Sequence, residues 1–261
     1  MKTGVLLALC LLPSCSALAG ESTEGADRTA SIQRFQRQCA EVGLPSDAML
    51  VGIATSMEKI LPRGSAFELS AARKIELSLA RNEKEGVQIV VLPAAGGLRK
   101  ATVQASDLKA PGGAVFPRKN IECDVVGYVQ TKSRPPYGTS HVGWWPDPIL
   151  PGQGPVDIAS GDLQGFWVRV RAAKDQAAGV YRGPLTIAAE GTAPVALELV
   201  VRVRSFALPD RSPLPLAITF SPEDNAVAQT QKQQDEWRKS EDYPPNAWKK
   251  ASTPPATTSS S

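Results

Sequence analysis

The residues able to do chemistry are few. The 261-residue chain has one histidine, His141, so a three-histidine zinc centre is excluded and imidazole acid–base chemistry has a single candidate. No triad motif surrounds His141, and it reads as a loop or surface residue. Asp235-Glu236 is an adjacent carboxylate pair, but Gln233, Gln234, Trp237, Arg238 and Lys239 around it are polar. Nothing there would desolvate a carboxyl and raise its pKa, so the pair reads as a charged helix face and not as a catalytic dyad. Four cysteines are present, two of them within the first 15 residues, and none form a zinc-type pair. Cys39 and Cys123 either pair in an oxidising compartment or sit apart as small buried thiols. No catalytic residue, metal site or cofactor is expected. The remaining chemistry is aromatic. Tyr137, Trp144 and Trp145 lie in one stretch with Asp147, and residues 131–155 hold six prolines and four glycines. The stretch reads as a long proline-stiffened loop, of the kind that carries function or meets another surface. Its rings either stack on sugars, with Asp147 accepting hydroxyl hydrogen bonds, or pack against a protein face.

Composition sets the frame for these residues. Hydrophobic residues make up 42% and charged residues 21%, which excludes wholesale disorder. The formal charge is +3 with the basic residues dispersed, so no nucleic-acid footprint is visible. At the N-terminus, Lys2 precedes an apolar run from Val5 to Leu12, and Ala17-Leu18-Ala19 supplies a small-x-small site. This is the architecture of a secretory signal peptide cleaved after Ala19. A second processing route is open: Leu12-Pro13-Ser14-Cys15 resembles a lipobox, in which Cys15 would carry the lipid and be the only link to a membrane. Both routes place the protein outside the cytoplasm.

The elements follow from periodicity. Residues 20–30 are small and polar and read as a spacer. Ile32, Phe35, Cys39 and Val42 recur at helical spacing, so a short helix is expected, ended by Gly43-Leu44-Pro45. From residue 49 the period becomes two. Strands are expected around 51–55, 75–79, 87–92, 103–105, 121–125, 166–170, 185–187, 195–203 and 216–220. About nine strands with turns between them and no intervening long helix predict an all-β antiparallel sandwich over 49–220. Residues 223–242 read as a polar C-terminal helix, and 251–261, composed only of Ala, Ser, Thr and Pro, as a disordered tail.

Four segments in order resemble one family. Ala80-Arg81-Asn82-Glu83-Lys84-Glu85-Gly86-Val87-Gln88, Trp145-Pro146-Asp147-Pro148-Ile149-Leu150-Pro151, Phe166-Trp167-Val168 through Ala178-Gly179-Val180-Tyr181-Arg182-Gly183, and Phe206-Ala207-Leu208-Pro209-Asp210 are similar to motifs of the domain that precedes the catalytic barrel in glycoside hydrolase family 123. In the first of them, Asn82 is a turn residue able to bond its own backbone. The resemblance implies a β-sandwich followed by a (β/α)8-type barrel that hydrolyses β-N-acetylgalactosaminides. The expectation is therefore a non-catalytic N-terminal module of a secreted hydrolase, truncated before its barrel. Residues 1–19 would be the signal peptide, 20–48 a linker with the short helix, 49–220 the sandwich, 221–250 the start of the catalytic part and 251–261 the tail. The partner would be that barrel or, in the alternative of a carbohydrate-binding module, a glycan.

Overall fold

The computed structural model describes residues 19–132 and 141–211, with side chains from Arg28 onward, together with Glu236 and Lys239. The chain divides into two compact units, Met1–Asp210 and Arg211–Ser261. In the second unit, Glu236 and Lys239 are helical, and Glu236 is exposed. The strand expected at 216–220, most of the polar helix and the tail lie outside the described residues.

Among the described residues, the first unit is a β-sandwich with one α-helix, α1 (Ala19–Glu41). One sheet has the order β1 (Met49–Thr55), β3 (Lys84–Pro93), β10 (Gln164–Arg171), β7 (Ile121–Gln130) and β8 (Trp144–Leu150). The other runs β2 (Lys74–Arg81), β12 (Val195–Ala207), β11 (Gly179–Glu190), β4 (Leu98–Ala105) and β9 (Val156–Ile158). A two-residue pair, β5 (Leu108–Lys109) and β6 (Val115–Phe116), joins at β11.

The period-two pattern is the reason for the core. Ile89, Phe166 and Val125 stand opposite one another across three neighbouring strands of the first sheet. They belong to one buried cluster with Leu185, Ile187, Leu197, Leu199 and Val201 of the second. Eight of the nine expected strands fall on β1–β4, β7 and β10–β12.

Several expectations are corrected. The helix is not short: α1 has 23 residues and takes in residues 20–30, whose small polar composition reads as spacer. Alanine and glutamate are good helix formers, and packing of the following turns lets the helix extend through them. Its C-terminus is as expected. Gly43 sits at φ 71°, Leu44 N–H bonds Cys39 O at 2.8 Å and Gly43 N–H bonds Ala40 O at 3.0 Å, the Schellman pattern. The sandwich is not wholly antiparallel either. β2 pairs β12 in parallel, Ile75 opposite Leu199. Parallel strands close in sequence need a helical crossover, but these two lie more than a hundred residues apart and meet because the chain changes sheet between β1 and β2.

Residues 131–155 are not one long loop, since β8 occupies 144–150. Proline in a run normally argues against a strand. Here β8 is the sheet edge, where a missing N–H costs no ladder bond on the open side. β8 also carries one residue more than β7 between the pairs Val126↔Ile149 and Tyr128↔Pro146. Asp147 and Pro148 together face Gly127, a β-bulge. A Cβ on Gly127 would come within 2.8 Å of the Pro148 ring, so the bulge needs glycine there.

The two cysteines are free, and the disulfide reading gives way to separate thiols. Cys123 pairs with Val168 on the inward face of the first sheet and takes a backbone hydrogen bond from Ala105 in the second sheet. Cys39 is on α1, which packs on the opposite, outer face: a Cβ at outward-facing Gly52 would meet the Phe35 ring at 2.9 Å. A sheet separates the thiols, which disulfide geometry does not permit. Burial raises both thiol pKa values, that of Cys123 to about 11, so both remain protonated at neutral pH.

Candidate functional site

Two segments lie over the outer face of the first sheet among the described residues. α1 and the connector from 56 to 73 lie over β1 and β3, with Phe35 and Phe67 edge to face at 6.3 Å. Over β10, β7 and β8 the outward residues are Trp167, Arg169, Glu122, Asp124, Val126 and Ile149, by alternation from the inward row. Arg169 Nε donates to Glu122 Oε2 at 2.7 Å and its Nη2 reaches Asp124 Oδ2 at 3.4 Å. This cross-strand ion pair keeps the buried Asp124 compensated.

Between the connector and β8 on this face is a cleft of about 170 Å³. Its walls are Ser56, Glu58 and Lys59 on one side and Pro146, Asp147 and Ile149 of β8 on the other, with Trp167, Gln88 and Val126 between. The first wall is held from below. Gln88 is buried, and its Nε2 donates to Thr55 O at 2.7 Å and Glu58 O at 2.8 Å. The Glu58 carboxylate also accepts from Thr55 N–H, which closes the turn. The second wall is set by the β8 bulge, which brings Pro146, Asp147 and Ile149 to the same cleft although strict alternation would separate the last two from the first.

The expected site residues are distributed differently from a platform. Trp144 and Trp145 are adjacent on a strand and point to opposite faces. Trp144 lies under the Arg63 guanidinium, 3.4 Å from ring centroid to Cζ, a cation–π contact held by Arg63 N–H bonding Asp162 Oδ1 at 2.9 Å. Trp145 packs edge to face with His141 at 5.3 Å. Both indoles are half-buried, and Asp147 is exposed. Tyr137 lies outside the described residues. The segment carrying it is tied at its ends, where Thr131 N–H bonds Gly143 O at 2.8 Å and Gly143 N–H bonds Thr131 Oγ1 at 3.0 Å. Asp235 also lies outside the described residues. Among the described residues, no group of three or more His, Cys, Asp and Glu could hold a metal, and no helix is long and apolar enough to cross a membrane.

Sequence reasoning missed Trp167, Gln88, Glu58 and Arg63. Trp167 had a signal: it alternates with Phe166 and Val168, so an inward Phe166 puts the indole on the outside. Gln88, Glu58 and Arg63 had none, because their roles depend on a connector folding over the sheet.

A second constellation joins two of the sequence motifs at one end of the sandwich. Asn82 takes φ 63°, the left-handed conformation that Asn tolerates in turns. Its Nδ2 donates to Leu208 O and to Asp210 Oδ1, both at 3.1 Å. Leu208 N–H returns a bond to Arg81 O at 2.8 Å, and Lys174 Nζ meets Asp210 Oδ2 at 2.7 Å. The turn between β2 and β3 thereby clasps the chain where it leaves β12. The Asn82 side chain does not bond its own backbone as a turn residue would; its amide reaches residues more than 120 positions away. Phe206 and Leu208, beside the clasp, are exposed.

These features define an all-β sandwich domain with a helix packed on one outer face, a cleft on that face and a clasped exit strand. The glycoside hydrolase 123 N-terminal domain family matches residues 66–189, and that match supports an N-terminal domain similar to those of glycoside hydrolase 123-like proteins. A family 123 glycoside hydrolase from Clostridium perfringens, solved to analyse glycolipid glycan hydrolysis, superposes with a TM-score of 0.54 at 13% identity, over 62% of this chain and 28% of that one. At that identity the likeness shows the fold alone, and this chain spans little more than a quarter of that enzyme. A PapD-like domain of human CEP192 superposes over 61% of this chain and 87% of that domain at 10% identity, with a TM-score of 0.31. No curated protein matches by sequence.

Proposed function

We propose that this chain is the non-catalytic N-terminal sandwich of a secreted glycoside hydrolase of family 123 type, acting on β-N-acetylgalactosaminides through a barrel that the sandwich buttresses. The family match over 66–189 carries the reading. Two arrangements support it. The clasp fixes the direction in which the chain leaves the sandwich at Asp210, as a module needs if it is to hold a second domain in register. The Trp144 ring is occupied by Arg63 rather than bare, which suits a buttressing edge better than a sugar platform. In the test, the purified chain is incubated with aryl β-N-acetylhexosaminides. No turnover is expected. Turnover abolished by a substitution within 50–220 would overturn the proposal.

The same reading places the chain outside the cytoplasm, by cleavage after Ala19 or lipidation at Cys15. The intact mass of the exported chain separates the two. A mass consistent with Gly20 as first residue is expected, and a retained Met1 would sink the export reading.

A further inference from the structure

We propose that the cleft between the 56–59 turn and β8 binds a single neutral pyranose ring, with Trp167 as its stacking surface. The inference rests on the cleft alone and does not depend on the buttressing role.

Gly86 sets the height of the stacking surface. Trp167 stands opposite Gln88, and its indole leans diagonally along β3 over Gly86, where a Cβ would come within 3.1 Å of Cε2, Cζ2 and Nε1. Any larger residue would lift the ring. With glycine beneath it, the indole settles toward the sheet, and Trp167 lines the cleft. Pro146, Ile149 and Val126 continue the apolar surface around it. An aromatic floor with a short apolar margin is what the C–H face of a sugar ring needs.

The polar groups stand on the two walls. Glu58 and Asp147 offer carboxylate acceptors, and Lys59 and Ser56 offer donors. Two carboxylates disfavour an anionic ligand. An apolar ligand would cover the same charged groups without offering them a hydrogen bond. A sugar hydroxyl donates and accepts, so a polyol ring satisfies both walls without a net charge of its own. The cleft is small, about 170 Å³, which limits the ligand to one ring. The walls are preorganised, one by the two Gln88 hydrogen bonds and the other by the bulge opposite Gly127, so little entropy is lost on binding.

The test uses the full chain and the Trp167 indole N–H resonance, assigned by its loss in Trp167→Phe. Methyl β-D-galactopyranoside and methyl β-D-glucopyranoside are titrated to tens of millimolar. A saturable shift of the Trp167 signal is expected for at least one of them. Asp147 is exposed, so Asp147→Ala should keep the thermal midpoint while weakening that binding about tenfold or more, the scale of one lost hydrogen bond to a charged group. A silent Trp167 signal in the folded chain would overturn the proposal. So would an equal response in Asp147→Ala, or the same response to cyclohexanol, which would reveal plain apolar contact. Turnover of aryl β-N-acetylhexosaminides is unaffected by any of these outcomes, so the two readings fail separately.

Discussion

Tyr181→Ala is expected to remove about 3–5 kcal/mol of stability, the scale for truncating a large buried aromatic. Tyr181 is fully buried in β11 and packs edge to face with Phe116 at 5.7 Å. Its hydroxyl donates to Ala177 O at 2.7 Å and accepts from Gln176 Nε2 at 2.9 Å. The side chain thus joins the connection entering β11 to the small β5–β6 pair, and its loss would open a cavity beneath both. Tyr181→Phe keeps the ring and removes only the hydroxyl, and is expected to cost about 1 kcal/mol. Chemical denaturation of the three chains tests the pair. A loss below about 1 kcal/mol for the alanine variant would show that the ring does not hold this end of the sandwich. The same ring is the tyrosine of the Ala178-Gly179-Val180-Tyr181-Arg182-Gly183 motif, whose role here is packing.

Arg28→Ala is expected to undock the first turns of α1, at a cost of about 3 kcal/mol or more. Arg28 is buried, and its Nε and Nη1 donate to Gly161 O and Ser65 O, each at 2.7 Å. Its guanidinium lies 5.4 Å from the Phe67 ring centroid. Burial lowers its pKa and Asp162 opposes that shift, but the guanidinium stays charged across the working range. Alanine would leave two carbonyls of separate loops unpaired, each worth about 1–3 kcal/mol when buried, and would remove the ring contact as well. Hydrogen exchange reads the effect locally. Faster exchange in 28–41, with β11 and β12 unchanged, is the expected result. Uniform acceleration across the sandwich would mean that α1 is part of one cooperative unit, and no change would mean that Arg28 does not anchor it.

What the sequence settled was the part of the fold written in side-chain period. Val195, Leu197, Leu199, Val201 and Val203 can bury themselves only as one face of a strand, and β12 is that strand. Gly43 ends α1 because only a residue free to take positive φ closes the helix there. The family motifs were also readable, since turns and strand ends are specified by local residue chemistry. Tertiary structure decided the rest. Trp144 and Trp145 look like one platform because they are neighbours in sequence, yet pairing β8 to the edge of a sheet sends them to opposite faces. Asn82 looks local, and its partners Leu208 and Asp210 come from the far end of the sandwich. Whether Pro146 breaks a strand or ends up in one depends on whether its missing N–H would face a neighbour, which no window of sequence contains. The cleft is the extreme case. Trp167, Gln88, Glu58 and Asp147 come from three strands and a connector, and their meeting depends on a bulge, on a glycine under an indole and on one buried amide, all of which are properties of the packed chain.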